Sequence, residues 1–396
     1  MSARTGLDLP PPSPEALAVS EALRRRISDA IAAAGGSIPF RRYMTMALYE
    51  PGLGYYSAGA AKFGAAGDFV TAPEISALFG ACLARQVAQI LGSLGGGGVL
   101  EFGAGSGRLA CDILLELERL GAPPSAYLIL EVSADLRERQ RRLLAGLPTA
   151  LAGRVHWLDT LPDDFTGVAI ANEVLDAMPV ALLRKEDTHS WSELHVGVAA
   201  GGFCWKAMPL AADSALAAYI GAVERERGAL PAGYTTEVCL DLGSWFEALA
   251  AAVDRGAALI IDYGYSRREY YHPDRATGTL LCHYRQRAHA DPLVYPGLQD
   301  ITASVDFTAA AVAAQDAGFA VAGHATQAQF LLSLGLLELV GERAAADRRR
   351  EIELAQQVRR LTLPAEMGER FKVLALLRGL DTSLQGFRAG DLLHRL

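Results

Sequence analysis

The sequence predicts an α/β fold whose core is a seven-stranded, mostly parallel sheet. Three observations carry that prediction. Short apolar runs alternate with helical patterns over residues 98–177, and the alternation resumes from residue 257. The composition is that of a globular chain, 51% apolar and 21% charged over 396 residues, ample for a large core. Strands separated by helices of about 10–15 residues make βαβ units, whose crossovers keep the strands parallel.

Taken in order, residues 1–14 hold Pro10, Pro11, Pro12 and Pro14 and read as a flexible leader. Residues 15–95 read as a helical N-terminal region with lid-like loops. Arg24, Arg25 and Arg26 ride on an alanine-rich helical pattern, and a Pro51-Gly52 turn precedes a glycine-rich stretch, 59–67, that contains Lys62. Thr71 is placed as the N-cap of a helix opened by Pro73 and Glu74, with helical spacing over 75–91 and a Gly95–Gly98 breaker. Residues 96–180 form the core. Its strands are Val99–Gly103, Tyr127–Val132, Val155–Asp159 and Val168–Asn172, with helices at 108–120 and 135–145. Residues 181–256 read as an insertion. Runs at 192–199 and 203–208 flank Ala200-Gly201-Gly202 as a hairpin, and helical patterns follow at 213–227 and 243–254. Residues 257–396 return to the sheet with strands at 257–264, 320–325 and 371–377. Insertions fall at 264–306 and 329–365, and helix 307–317 lies between them.

Charge and composition exclude several classes. The net charge of −8 and the lack of a basic stripe argue against nucleic acid as a partner. The longest stretch without Asp, Glu, Lys or Arg, residues 317–337, carries His324, Gln327, Gln329 and Ser333, too polar for membrane insertion. Five cysteines with no C-x-x-C spacing suit a reducing compartment, and a bacterial-type cytoplasm is expected. No metal is expected. His283, His289 and Asp291 fit no standard zinc spacing and read as loop residues. Ser106 lacks the G-x-S-x-G frame of a nucleophile elbow.

The sharpest motif is Val99-Leu-Glu101-Phe-Gly103-Ala104-Gly105-Ser-Gly107-Arg108, a strand running through a glycine turn into a helix. Such a turn lets backbone approach a ligand closely. A dinucleotide fingerprint starting at Gly103 needs glycine at 108, where this chain has arginine. Glu101 followed by G-x-G-x-G is similar instead to the first motif of class I S-adenosylmethionine (SAM) methyltransferases. Glu131 ends the next strand, where an acid accepts from ribose hydroxyls, although a plain strand-terminal glutamate reads the same way. Asp159 ends the third strand, where such methyltransferases often place a partner for adenine. Asn172 and Glu173 follow the fourth strand, at the sheet end where open parallel sheets bind ligands. A helix cap with a dipole-favoured acid is the competing reading there.

Longer blocks add a family resemblance covering roughly 35–380. They are Tyr49–Tyr56, Gly67–Glu74, Leu100–Gly107, Ala171–Pro179, Ile261–Gly264, Asp291-Pro-Leu with Pro296-Gly, Asp300–Phe307 and Met367–Val373. On these the chain resembles the MidA-like methyltransferases, the family of the mitochondrial complex I assembly-factor arginine methyltransferase. One departure is Ser304, where that family's pattern has histidine.

The resemblance implies a Rossmann-like class I methyltransferase core with a family-specific N-terminal region and insertions over the site. It implies SAM as cofactor, with S-adenosylhomocysteine as product. Glu101, Gly103, Ala104, Gly105, Gly107, Glu131, Asp159, Asn172 and Thr71 are the residues expected to hold it. The implied acceptor is an arginine of a protein such as a respiratory complex subunit. A guanidinium stays protonated at neutral pH, so a carboxylate that fixes it by paired hydrogen bonds is needed. Glu173 comes first, then Asp176, then Glu74 if its block folds over the cofactor as a lid. An assembly chaperone that keeps SAM as a structural ligand and a small-molecule methyltransferase are the rival functions. The sequence does not give the oligomeric state, though exposed insertions could support a homodimer.

Overall fold

The computed structural model describes residues 9–57, 70–344 and 347–396. The glycine-rich stretch 59–67 with Lys62, and the start of the Gly67–Glu74 block, lie outside the described residues. The chain divides into two compact units. One comprises 1–69, 177–241 and 268–304, and the other 70–176, 242–267 and 305–396.

The second unit carries the predicted sheet. Its strands are β1 (Gly98–Phe102), β2 (Tyr127–Leu130), β3 (Val155–Leu158), β4 (Phe165–Asn172), β5 (Val253–Tyr265), β6 (Ala320–Thr326) and β7 (Phe371–Arg378). They lie in the order β6-β7-β5-β4-β1-β2-β3. Five neighbouring strands are parallel, and β7 runs antiparallel to both β5 and β6. An eighth strand of two residues, Val305–Asp306, extends the pairing of β5 at Gly264 and Tyr265. Because β1 and β4 lie side by side at the point where the strand order reverses, their carboxyl ends flank the crevice where such sheets bind ligands.

One face of the sheet (Val99, Tyr127, Ile129, Val168, Ile170, Leu259, Val373) packs on α1 (Ala77–Leu94) and α2 (Arg108–Arg119) in a continuous apolar core. The helical pattern read at 75–91 breaks at Ser76. Its hydroxyl accepts from the Leu78 N–H and so caps α1, while a separate turn of helix runs from Ala72 to Ile75. Gly95 closes α1 in the left-handed conformation, φ +78°. By length and composition α1 is apolar enough to cross a membrane, but it is mostly buried in this core. α3 (Ala134–Leu144) starts at Ser133, which caps it through Leu136 N–H.

The unit boundaries depart from the expected ones. α1 belongs to the sheet unit and not to a helical N-terminal region, because its apolar face is as continuous as its length. Helix Leu242–Ala252 and the start of β5 at Val253 also belong there, so that insertion covers 177–241 and stops short of 256. The helices in 329–365 likewise belong to the sheet unit, contributing Leu331, Leu339, Leu354 and Leu361 to its core. The second insertion spans 268–304.

The first unit has its own core, which joins Leu23, Ile27, Tyr43 and Leu48 to Val180, Leu194, Val196, Phe203 and Ile301. The hairpin forms as Trp191–Ala199 and Gly202–Pro209. Ser37–Pro39, not foreseen as a strand, pairs with the first arm. His283 and His289 stand on neighbouring antiparallel strands, and His289 Nδ1 accepts from the Asp291 N–H at 3.3 Å in a local turn. Ser304 N–H donates to Thr279 Oγ1 at 3.0 Å.

Candidate active site

Every candidate site residue falls in the sheet unit, and most lie at the carboxyl ends of its parallel strands. β1 runs out into the glycine turn. Gly103, Gly105 and Gly107 have φ of +59°, +54° and +85°, a region that costs an L-residue with a side chain roughly 1–2 kcal/mol. Three such residues in five coil the backbone tightly between strand and helix. Ala104 is nearly buried within the turn, and its carbonyl accepts from the Gly107 N–H at 2.8 Å. The turn delivers the chain into α2, whose first N–H groups and dipole point back toward it.

Glu101 is 2% exposed and lies on the helix-packed face, where the Tyr127 hydroxyl donates to Oε2 at 2.7 Å. Burial lifts its carboxyl to about 7, and the nearby charge of Glu131 pushes the same way against the Tyr127 bond. Glu101 thus ties β1 to β2 directly beneath the turn.

Glu131 is also buried, just past β2. Ser133 N–H donates to Oε1 at 2.9 Å, and Gln140 Nε2 donates to Oε2 at 3.0 Å. The next residue, Val132, is 80% exposed. An apolar side chain left in water beside a bonded acid suits a ligand with both a hydroxylated and an apolar part. Neither Val132 nor Gln140 was singled out from the sequence. A strand-end valine and a glutamine on a charged helix carry no signal of their own. Asp159 follows β3, is 85% exposed at its side chain, and pairs with Arg137 at 2.6 Å.

Glu74 is brought to the glycine turn, since its Oε1 accepts from the Ser106 hydroxyl. Thr71 stands at the N-cap of Ala72–Ile75 without a side-chain capping bond. The turn and the 71–74 segment therefore meet, as a cofactor-facing segment requires.

The other cluster lies at the ends of β4 and β5. No helix begins at Asn172, which is the last residue of β4, so the helix-cap reading falls. Asn172 Nδ2 donates to Glu173 Oε1 at 3.3 Å, while its Oδ1 is buried without a hydrogen-bond partner among the described residues. Glu173 has φ +54° and is pinned there by its N–H, which donates to Ile261 O at 2.8 Å. A non-glycine residue held in the left-handed region at a sheet's ligand end is strain retained at a site. Behind it Asp262, fully buried, accepts from Leu175 N–H at 3.0 Å, Asp176 N–H at 3.2 Å and Tyr263 N–H at 2.9 Å. Burial first, then the charge of Glu173, raises the Asp262 carboxyl well above the ordinary range. Asp176 is 5% exposed in the same loop.

These residues fit a sulfonium nucleoside. A buried carboxylate can accept from hydroxyls, an exposed valine offers apolar surface, and a left-handed glycine turn admits close approach.

Comparison with known proteins bears on the family to which the chain belongs. A family model for S-adenosyl-L-methionine-dependent methyltransferases matches residues 82–325. The rat protein named protein arginine methyltransferase NDUFAF7, mitochondrial, is 31% identical, aligned over 89% of this chain and 84% of its own. The Drosophila melanogaster NDUFAF7 homologue is also 31% identical, over 87% of this chain and 82% of its own. A crystal structure of a Burkholderia thailandensis protein bound to S-adenosyl-homocysteine superposes with a TM-score of 0.93 and 47% identity. It covers 98% of this chain and 100% of that one.

Proposed function

The chain belongs to the family of S-adenosyl-L-methionine-dependent methyltransferases, and we propose that its acceptor is an arginine side chain of a protein, such as a respiratory complex subunit. The curated relatives named above are protein arginine methyltransferases. The observation that carries the reading is the acceptor-rich wall at the ends of β4 and β5. Asn172 presents an oxygen with no hydrogen-bond partner among the described residues, and Glu173 beside it is held at a strained backbone angle. A guanidinium has five N–H donors and no acceptor, so a wall of oxygens is its complement.

SAM, when bound, supplies an electrophilic methyl group on a positive sulfur. The residues expected to hold it are the Gly103–Gly107 turn, Glu131, Val132 and Asp159, while the Asn172 oxygen is left to the acceptor. Glu173 would take two guanidinium N–H groups and so orient a third nitrogen, a positioning effect worth several powers of ten when the geometry is rigid. Its carboxylate also stabilises the cation that substrate and product both carry. Asp262 fixes the backbone that presents Glu173. Asp176 stands next in that loop, and Glu74 steadies the glycine turn through Ser106.

The test uses purified protein, labelled SAM and a lysate from cells lacking the gene and starved of methylation. Label in protein that yields methylarginine on acid hydrolysis supports the proposal. Label confined to a protein-free filtrate, or to another residue, overturns the arginine acceptor.

A further inference from the structure

Gln140 projects from α3, and its side chain is fully buried. A buried primary amide must place two donors and an acceptor. Trp157 Nε1 donates to Gln140 Oε1 at 2.9 Å. An indole nitrogen only donates, so this bond decides which end of the amide is oxygen. The nitrogen end is then left to donate twice, to Gly105 O at 2.9 Å and to Glu131 Oε2 at 3.0 Å. Ser133 N–H holds the other Glu131 oxygen. With a donor on each oxygen, the plane of the carboxylate is fixed. The fit is also tight, since a Cβ at Gly107 would lie 3.3 Å from the Gln140 Cα.

We propose that Gln140 is a positioning residue for the cofactor, joining the glycine turn to Glu131 as one rigid piece and setting the orientation in which Glu131 meets the nucleoside. The inference rests on the assignment of Glu131 and the turn to cofactor binding. Its mechanism is polar and directional. The amide nitrogen supplies both hydrogens, and the indole prevents the amide from flipping. An isosteric carboxylate at 140 would reverse this, setting an acceptor against Gly105 O and Glu131 while leaving Trp157 satisfied. A protonated carboxyl at that position regains one donor.

The experiment is calorimetric titration of S-adenosylhomocysteine into the full chain at pH 8 and pH 6, for the wild type, Glu131→Ala, Gln140→Met, Gln140→Glu and Trp157→Phe. Melting curves serve as the control for folding. Expected are at least tenfold weaker binding in Glu131→Ala and in Gln140→Met, and a severalfold smaller loss in Trp157→Phe. Gln140→Glu is expected to bind poorly at pH 8 and to recover severalfold at pH 6, a gain the wild type does not show. A purely packing role would be met by Gln140→Met, which keeps the volume and removes only the donors, so that variant separates the two roles. Folded Gln140→Met binding within twofold of wild type, or a Gln140→Glu defect equal at both pH values, overturns the inference. Should Gln140→Met not fold, the pH response of Gln140→Glu and the Trp157→Phe affinity decide it. Unchanged affinity in Glu131→Ala would instead overturn the cofactor assignment beneath it.

Discussion

The backbone N–H of Leu175 donates to the Asp262 carboxylate at 3.0 Å, tying the loop after β4 to the end of β5 across 87 residues of sequence. Asp176 N–H shares the same oxygen at 3.2 Å. The loop that presents Glu173 is thus held by a buried acid on the neighbouring strand. Asp262→Asn places an amide nitrogen or a single oxygen against three N–H donors. It is expected to lower stability by about 1–3 kcal/mol, the cost of orphaning buried donors. Methyl transfer should slow at least tenfold while S-adenosylhomocysteine affinity stays within about threefold. Urea unfolding with a binding titration checks this, and undiminished stability would refute it.

Glu173 gives a second test, because its backbone and its side chain separate. At φ +54° alanine keeps the steric penalty and glycine does not. Glu173→Gly should be more stable than Glu173→Ala by about 1 kcal/mol. Both should lose methyl transfer equally, by a hundredfold or more. If alanine matches glycine in denaturant midpoint, the strain is absent.

A pH dependence follows from Glu101. Its carboxyl, raised by burial from 4.5 to about 7, binds protons more readily in the folded than in the unfolded chain. The stability it contributes is therefore complete below the unfolded value and is lost as pH rises through about 7. Relative to Glu101→Gln, which does not titrate, the wild type should lose roughly 3 kcal/mol, an upper figure, from pH 4 to pH 8. Parallel stability curves for the two proteins over this range would exclude the effect.

Val132 tests the apolar part of the site. Its side chain is 80% exposed, so Val132→Asp leaves the core untouched and should melt within a few degrees of wild type. Cofactor affinity should fall tenfold or more, because a charge replaces the surface against which an apolar ring packs. Equal affinity would place the ring elsewhere.

Much of the sheet unit was legible in local pattern. The β1 apolar run, the glycines at 103, 105 and 107 and the acid at 131 are written within about thirty residues. Strand-turn-helix geometry depends on near neighbours and on the φ a residue tolerates. Asn172 and Glu173 were legible for the same reason, as polar residues directly after an apolar strand. Asp262 was visible only as part of an Ile261–Gly264 block, and nothing in that block showed which backbone groups it would bind.

What the sequence by itself determined is the order of the strands along the chain, the glycine turn and the residue types at the strand ends. What only the tertiary structure decided is which of those residues meet. Glu74 reaches Ser106, Gln140 binds Gly105, Glu131 and Trp157, and Asp262 holds the loop of Leu175. The membership of α1 and of the 329–365 helices in the sheet unit was decided there as well. The physical reason is range. Periodicity and turn chemistry act over a few residues, whereas a side-chain hydrogen bond depends on strand order and register, which are settled only when the apolar faces of the whole unit pack together.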